Sequence, residues 1–87
     1  MGYSPPFNFL RLRQVLELTA LSRATFYRQV KEGTLPSQIH LGANSVAWLS
    51  HEIESVLAAR ICGYTEAELK ELVLTIIAKR ETFKEEI

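Results

Sequence analysis

The chain has 87 residues, 47% hydrophobic and 23% charged, with ten basic side chains balanced by ten acidic ones. A chain of this length buries only about two-thirds of its unfolded surface, so one small domain is expected, acting through its surface rather than a deep cavity. Its one cysteine, Cys62, excludes an intramolecular disulfide and a cysteine-based zinc cluster, and His40 and His51 lack metal-ligand spacing.

Pro5 and Pro6 block helix, so residues 1–9 read as an extended lead-in. Leu10 and Leu12 alternate with Arg11 and Arg13, which suits a short strand or the approach to a helix. Val15, Leu16 and Leu18 then fit two turns of helix from Arg13 to Thr19, followed by a turn over residues 19–22. Ser22 is a good N-cap for a second helix, Arg23 to Glu32, because its hydroxyl can accept from the orphan amides of the first turn. Gly33 ends that helix and Pro36 prevents its resumption.

Over residues 38–48 the period changes to two. Ile39 and Leu41, then Val46 and Trp48, flank Gly42-Ala43-Asn44, which is the pattern of a β-hairpin. Ser50 is expected to cap a third helix, with Glu52 and Glu54 in the first turn where the helix dipole favours them. Ile53, Val56, Leu57 and Ile61 supply its apolar face and Gly63 ends it. Thr65 and Glu68 form a capping box for a fourth helix carrying Leu69, Leu72, Val73, Ile76 and Ile77 on one side, a stripe that Phe83 continues. That stripe either packs back on the small core or pairs two protomers as a homodimer, and the pattern alone leaves both open.

Two short helices joined by a tight turn, then a hairpin and a third helix, are the order of a winged helix-turn-helix. The predicted fold is mainly α: a winged helix-turn-helix over residues 10–62, preceded by the extended segment 1–9 and followed by an appended C-terminal helix within 63–87. Charge is divided along the chain. Residues 1–50 hold five basic and two acidic side chains, a net +3, whereas residues 51–87 hold five and eight, a net −3. A basic recognition surface joined to an acidic segment has this asymmetry.

The stretch 12–36, Leu-Arg-Gln-Val-Leu-Glu-Leu-Thr-Ala-Leu-Ser-Arg-Ala-Thr-Phe-Tyr-Arg-Gln-Val-Lys-Glu-Gly-Thr-Leu-Pro, resembles the AlpA family of prophage regulators. That family lies within the wider group of MerR-like and excisionase-like winged helix-turn-helix proteins. Ile39-His-Leu-Gly-Ala-Asn-Ser-Val-Ala-Trp48 resembles the family's wing, and Ser50-His-Glu-Ile53 the start of its next helix. The resemblance covers roughly residues 10–61. It implies double-stranded DNA as the partner, no enzymatic activity and no cofactor. It also implies a role in transcription or, with an integrase as a further partner, in excision of a mobile element. One departure concerns the wing: basic residues common there are replaced by Ala43, Asn44 and Ala47, which implies weaker or more cooperative binding.

The second helix reads by angle, at about 100° per residue. Phe26 and Val30 point to the core, and Ala24, Arg28 and Lys31 fall opposite, with Thr25 and Glu32 nearby and Tyr27 on a shoulder. Arg28 suits a bidentate contact to guanine, while Ala24 and Thr25 suit close approach or a thymine methyl. Arg23, in the first turn, suits a phosphate beside the helix amides. Tyr27 is divided between core packing and DNA contact. Arg11 and Arg13, near the start of the first helix, are divided between phosphate contact and solvation. In the hairpin, His40, Asn44 and Ser45 are neutral candidates for phosphate or minor-groove hydrogen bonds, although Asn44 also suits a left-handed turn position. Trp48 is expected in the core and Cys62 buried or half-buried as a small apolar residue.

No nucleophile with a base, no glycine-rich phosphate loop and no metal cluster is legible, so an enzyme is not expected. No apolar run approaches the ~20 residues that span a bilayer, and the start lacks a secretory pattern, so a cytoplasmic setting at the bacterial nucleoid is expected. The competing reading is a protein-interaction module on a winged-helix scaffold with reduced DNA affinity.

Overall fold

The computed structural model describes residues 8–85; the two prolines of the lead-in therefore lie outside the described residues. In chain order the elements are β1 (Phe9–Leu10), α1 (Leu12–Thr19), α2 (Arg23–Glu32), β2 (Ile39–Gly42), β3 (Ser45–Leu49), α3 (Ser50–Ile61) and α4 (Glu66–Ala78), with a 3-10 segment over Lys79–Glu85. The architecture is the expected one, mainly α with a helix-turn-helix, a hairpin wing, a third helix and an appended C-terminal helix. The hairpin gains a third strand. Both pairings are antiparallel, in the order β1-β3-β2, with Phe9 opposite Leu49 and Leu10 opposite Trp48. A hydrogen bond of 2.8 Å from the Ser50 amide to the Asn8 carbonyl continues that edge.

The helix-turn-helix follows from its local signals. Ser22 Oγ accepts from the Thr25 amide, and Gly33 closes α2 in a left-handed conformation at φ 88°. α1 ends on Ala20 at φ 60°, the one non-glycine among the described residues in that region, where a Cβ meets the following carbonyl. Phe26 on the inner side of α2 is fully buried and meets Trp48 edge-to-face at 5.2 Å. Around that pair cluster Val15, Leu35, Ile53, Val56, Ala59, Leu69, Val73 and Ile76. Leu35 enters from the loop after α2, beside buried Thr34 and Pro36. Pro36, read only as a helix stop, therefore also fills space.

Several expectations are corrected. Ser50 is not the cap of α3: Leu49 takes that position without a side-chain bond, and Ser50 donates from the first turn to Glu54 at 3.0 Å. The buried face of α3 is formed by Glu52, Ile53, Val56 and Ala59, while Leu57 sits half-buried on a shoulder. Ile61 points about 150° away from the middle of that face at 100° per residue, and it is 86% exposed. Cys62, just beyond, is exposed rather than buried. Asn44 has a negative φ, so the hairpin does not use it as a left-handed residue. The hairpin instead absorbs its turn with an irregularity between His40 and Gly42, of the kind that accommodates an extra residue in one strand.

The α4 stripe packs on the core of its own chain. Leu69, Val73 and Ile76 are buried within the cluster, and Leu72 and Ile77, half-buried, pack against it, as the packing alternative expects. Thr65 and Glu68 form the expected capping box. Beyond α4, Arg80 reaches back to Glu52, which lies in the first turn of α3 as expected and is 2% exposed. Its Nη2 and Nε donate to the two carboxylate oxygens at 2.6 and 2.9 Å, and Nη2 also donates to the Ser37 carbonyl at 2.8 Å.

Candidate nucleic-acid interface

The outer side of α2 is a direct consequence of its inner side. With Phe26 buried and Val30 packed on the core, Ala24, Arg28 and Lys31 come to the surface opposite them, while Arg23, about 60° from Phe26 at 100° per residue, is exposed at the helix start. Thr25 is half-buried, and its Oγ1 accepts from the Ser22 hydroxyl at 3.0 Å while its amide is taken by the cap. The amides of Arg23 and Ala24 thus stand at the open start of the helix, where oriented N–H groups favour an anion. Arg28 lies 3.9 Å from Glu32, with 63% and 49% of the two side chains exposed. An exposed pair at that separation holds its arginine by only about 0.3–0.5 kcal/mol. Arg28 is therefore free to exchange Glu32 for a better acceptor at little cost. Among the described residues, Arg13, Arg23 and Lys31 form no ion pair.

Tyr27 is packed on the core in part and exposed in part. Its ring contacts Phe26 and Trp48 edge-on at 5.9 and 6.2 Å, yet 36% of the residue is exposed. The aromatic cluster fixes the ring and leaves part of it at the surface beside Ala24 and Arg28. Behind α2, Gln29 accepts from Arg60 of α3 at 2.8 Å, which steadies the helix from the side away from its exposed cations.

The wing presents His40 and Asn44 to solvent, together with Leu41 at 45% exposure and Ala43. Ser45 is half-buried, and its hydroxyl accepts from Arg11 at 2.8 Å; the same guanidinium nitrogen donates to the Val46 carbonyl at 3.3 Å. Arg11, which precedes α1, is thus an exposed cation attached to the wing. Spacing gave no sign of this, since 34 residues separate the partners. The structure therefore brings Arg23, Ala24, Thr25, Tyr27, Arg28 and Lys31 onto one helix. Arg13 lies separately on α1, and His40, Asn44 and Ser45 lie on the hairpin.

Among the described residues, no group of three or more histidine, cysteine, aspartate or glutamate side chains is arranged to hold a metal ion. No helix among them is long and apolar enough to cross a membrane.

Residues 8–61 match the family described as Prophage CP4-57 regulatory protein (AlpA). A relative from Enterobacteria phage P4, named uncharacterized protein ORF88, is 44% identical over 56 residues, which are 64% of this chain and 64% of that protein. The chain thus spans just under two-thirds of that relative's length. No solved structure matches. The matched stretch begins one residue before β1 and ends on the last residue of α3, so it takes in the helix-turn-helix, the whole three-stranded sheet and the following helix. With the majority of its residues inside that match, the chain belongs to the AlpA family of prophage regulatory proteins.

Proposed function

We propose that the protein is a sequence-specific DNA-binding regulator of a prophage or related mobile element, with α2 as the recognition helix. The observation that carries this reading is the exposed row Ala24, Arg28 and Lys31 directly opposite buried Phe26. It gives α2 a flat, cationic outer side with a small residue at its start, suited to lie in a major groove. Arg28 reads a base, by preference the O6 and N7 of guanine. Arg23 and the first-turn amides take a phosphate, and Lys31 takes another from the far end of the helix. Arg11 supplies the cation that the wing's own tip lacks. Bending or positioning DNA in this way serves transcription control and excision alike; in excision an integrase is the partner. Two protomers that bind cooperatively would meet through surfaces other than the α4 stripe.

The neutral hairpin tip with exposed Leu41 favours a second reading, a protein-interaction module with reduced DNA affinity. Mobility shifts on the DNA upstream of the chain's own gene and on the neighbouring attachment site separate the two. Arg28→Ala is expected to cost about 1–3 kcal/mol on the specific site and to relax preference at one base pair. Arg23→Ala and Lys31→Ala are expected to weaken all sequences alike. Full affinity of a folded Arg28→Ala variant for the specific site would overturn the assignment of α2.

A further inference from the structure

We infer that the C-terminal segment positions the DNA-binding face, with Arg80 as the residue that sets the wing relative to α2. Arg80 lies outside the stretch matched to the family, which stops at residue 61. Yet its guanidinium holds three parts of the domain together. One fork binds both carboxylate oxygens of Glu52 on α3, at 2.6 and 2.9 Å, and Nη2 simultaneously takes the Ser37 carbonyl at 2.8 Å. The Glu52 side chain is 3% exposed and that of Arg80 19%. Water therefore screens this pair far less than it screens the exposed Arg28–Glu32 pair.

Ser37 occupies the short connection between the end of α2 and the start of β2. That connection sets where the wing stands once the recognition helix is seated. On its α2 side it is pinned by Leu35, 1% exposed, and by the Thr34 amide, which donates to Gln29 at 3.0 Å. On its β2 side, Gln38 leads directly into a hairpin whose register is irregular between His40 and Gly42. Arg80 grips the chain between these two points and ties it to the start of α3, which follows the wing without a linker. The recognition helix, both sides of the wing and α3 are thereby referred to one guanidinium. A planar fork that meets a carboxylate and a carbonyl at once fixes direction as well as distance, which a lysine ammonium does not.

This inference rests on the DNA-binding reading but is testable apart from it. The full chain, carrying Cys62→Ser, is spin-labelled through Glu32→Cys at the end of α2 and Ala43→Cys at the wing tip, and the label separation is measured without DNA. Arg80→Met, which keeps the length of the side chain but not its fork, is expected to broaden or shift that separation while the helical spectrum is retained. Without labels, the same variant is expected to lose about tenfold in specific affinity, as it would if only about a tenth of molecules held the competent arrangement. If Arg80→Met does not fold, the same two measurements on Arg80→Lys decide.

A role in stability alone predicts a lower melting temperature with separation and affinity unchanged, and that result overturns the inference. So does a changed separation with unchanged affinity, or a lost affinity with unchanged separation. If the parent chain binds no duplex, the DNA-binding reading fails by itself, and with it the inference that this geometry serves DNA.

Discussion

Leu69→Ala tests how α4 is used. Leu69 is 3% exposed, within the cluster that joins α4 to Phe26, Trp48 and Val56. The substitution removes three carbons, worth about 2.4 kcal/mol at roughly 0.8 kcal/mol per buried carbon. Residual cavity brings the loss to roughly 3–4 kcal/mol, inside the range of buried leucine truncations. Against a total stability of about 5–15 kcal/mol this is a large share, and for a domain of this size it lowers the melting temperature by on the order of 15–25 °C. Because the stripe packs on its own chain, the midpoint is expected to be the same at low and high protein concentration, for parent and variant. A stripe that paired protomers would make both midpoints rise with concentration. Thermal unfolding followed by circular dichroism at two concentrations reads both effects. A loss under about 1 kcal/mol, or a concentration-dependent midpoint, would refute the packing argument.

Ala20→Gly is expected to raise stability by about 1 kcal/mol, because the left-handed position at φ 60° penalises a Cβ and the residue is exposed; an unchanged or lower melting temperature would contradict it. Ile61→Ser, at 86% exposure, should change stability by no more than about 0.5 kcal/mol, whereas Ile53→Ala, fully buried, should cost about 2–5 kcal/mol in the same denaturant titration. Asn44→Arg, at the exposed wing tip, should tighten non-specific DNA binding and steepen its salt dependence by about one counterion. An unchanged slope would mean that the tip stands clear of the duplex.

What the sequence made legible was local. The limits of α2 follow from Ser22 and Gly33, whose side-chain oxygen and positive φ act within one turn of the residues themselves. The Thr65–Glu68 box and the inward direction of Phe26 belong to the same kind of signal. The face of α3 was harder, because Ile53, Val56, Leu57 and Ile61 fit a helical period while buried Ala59 and Glu52 draw its centre away from Ile61. Glu52 suited a helix dipole by position, and only the return of the chain 28 residues later gave its carboxylate a partner in Arg80. Arg11 and Ser45 likewise meet only when β1 and α1 are laid against the hairpin. The cationic side of α2 needed no such long-range knowledge, since one buried aromatic residue orients the whole helix.

The most direct test of the account is the affinity of the full chain for duplex DNA carrying its site, measured across a series of salt concentrations. Lys31 on the exposed side of α2, Arg23 at its start and Arg11 beside the wing predict that the logarithm of the binding constant falls with the logarithm of salt with a slope of about −2.7, at about 0.9 per neutralised phosphate. Substituting all three by alanine should remove most of that slope while the fold is kept. A flat salt dependence of the parent chain, or a slope that survives the triple substitution, would contradict the claim that α2 and the wing meet DNA.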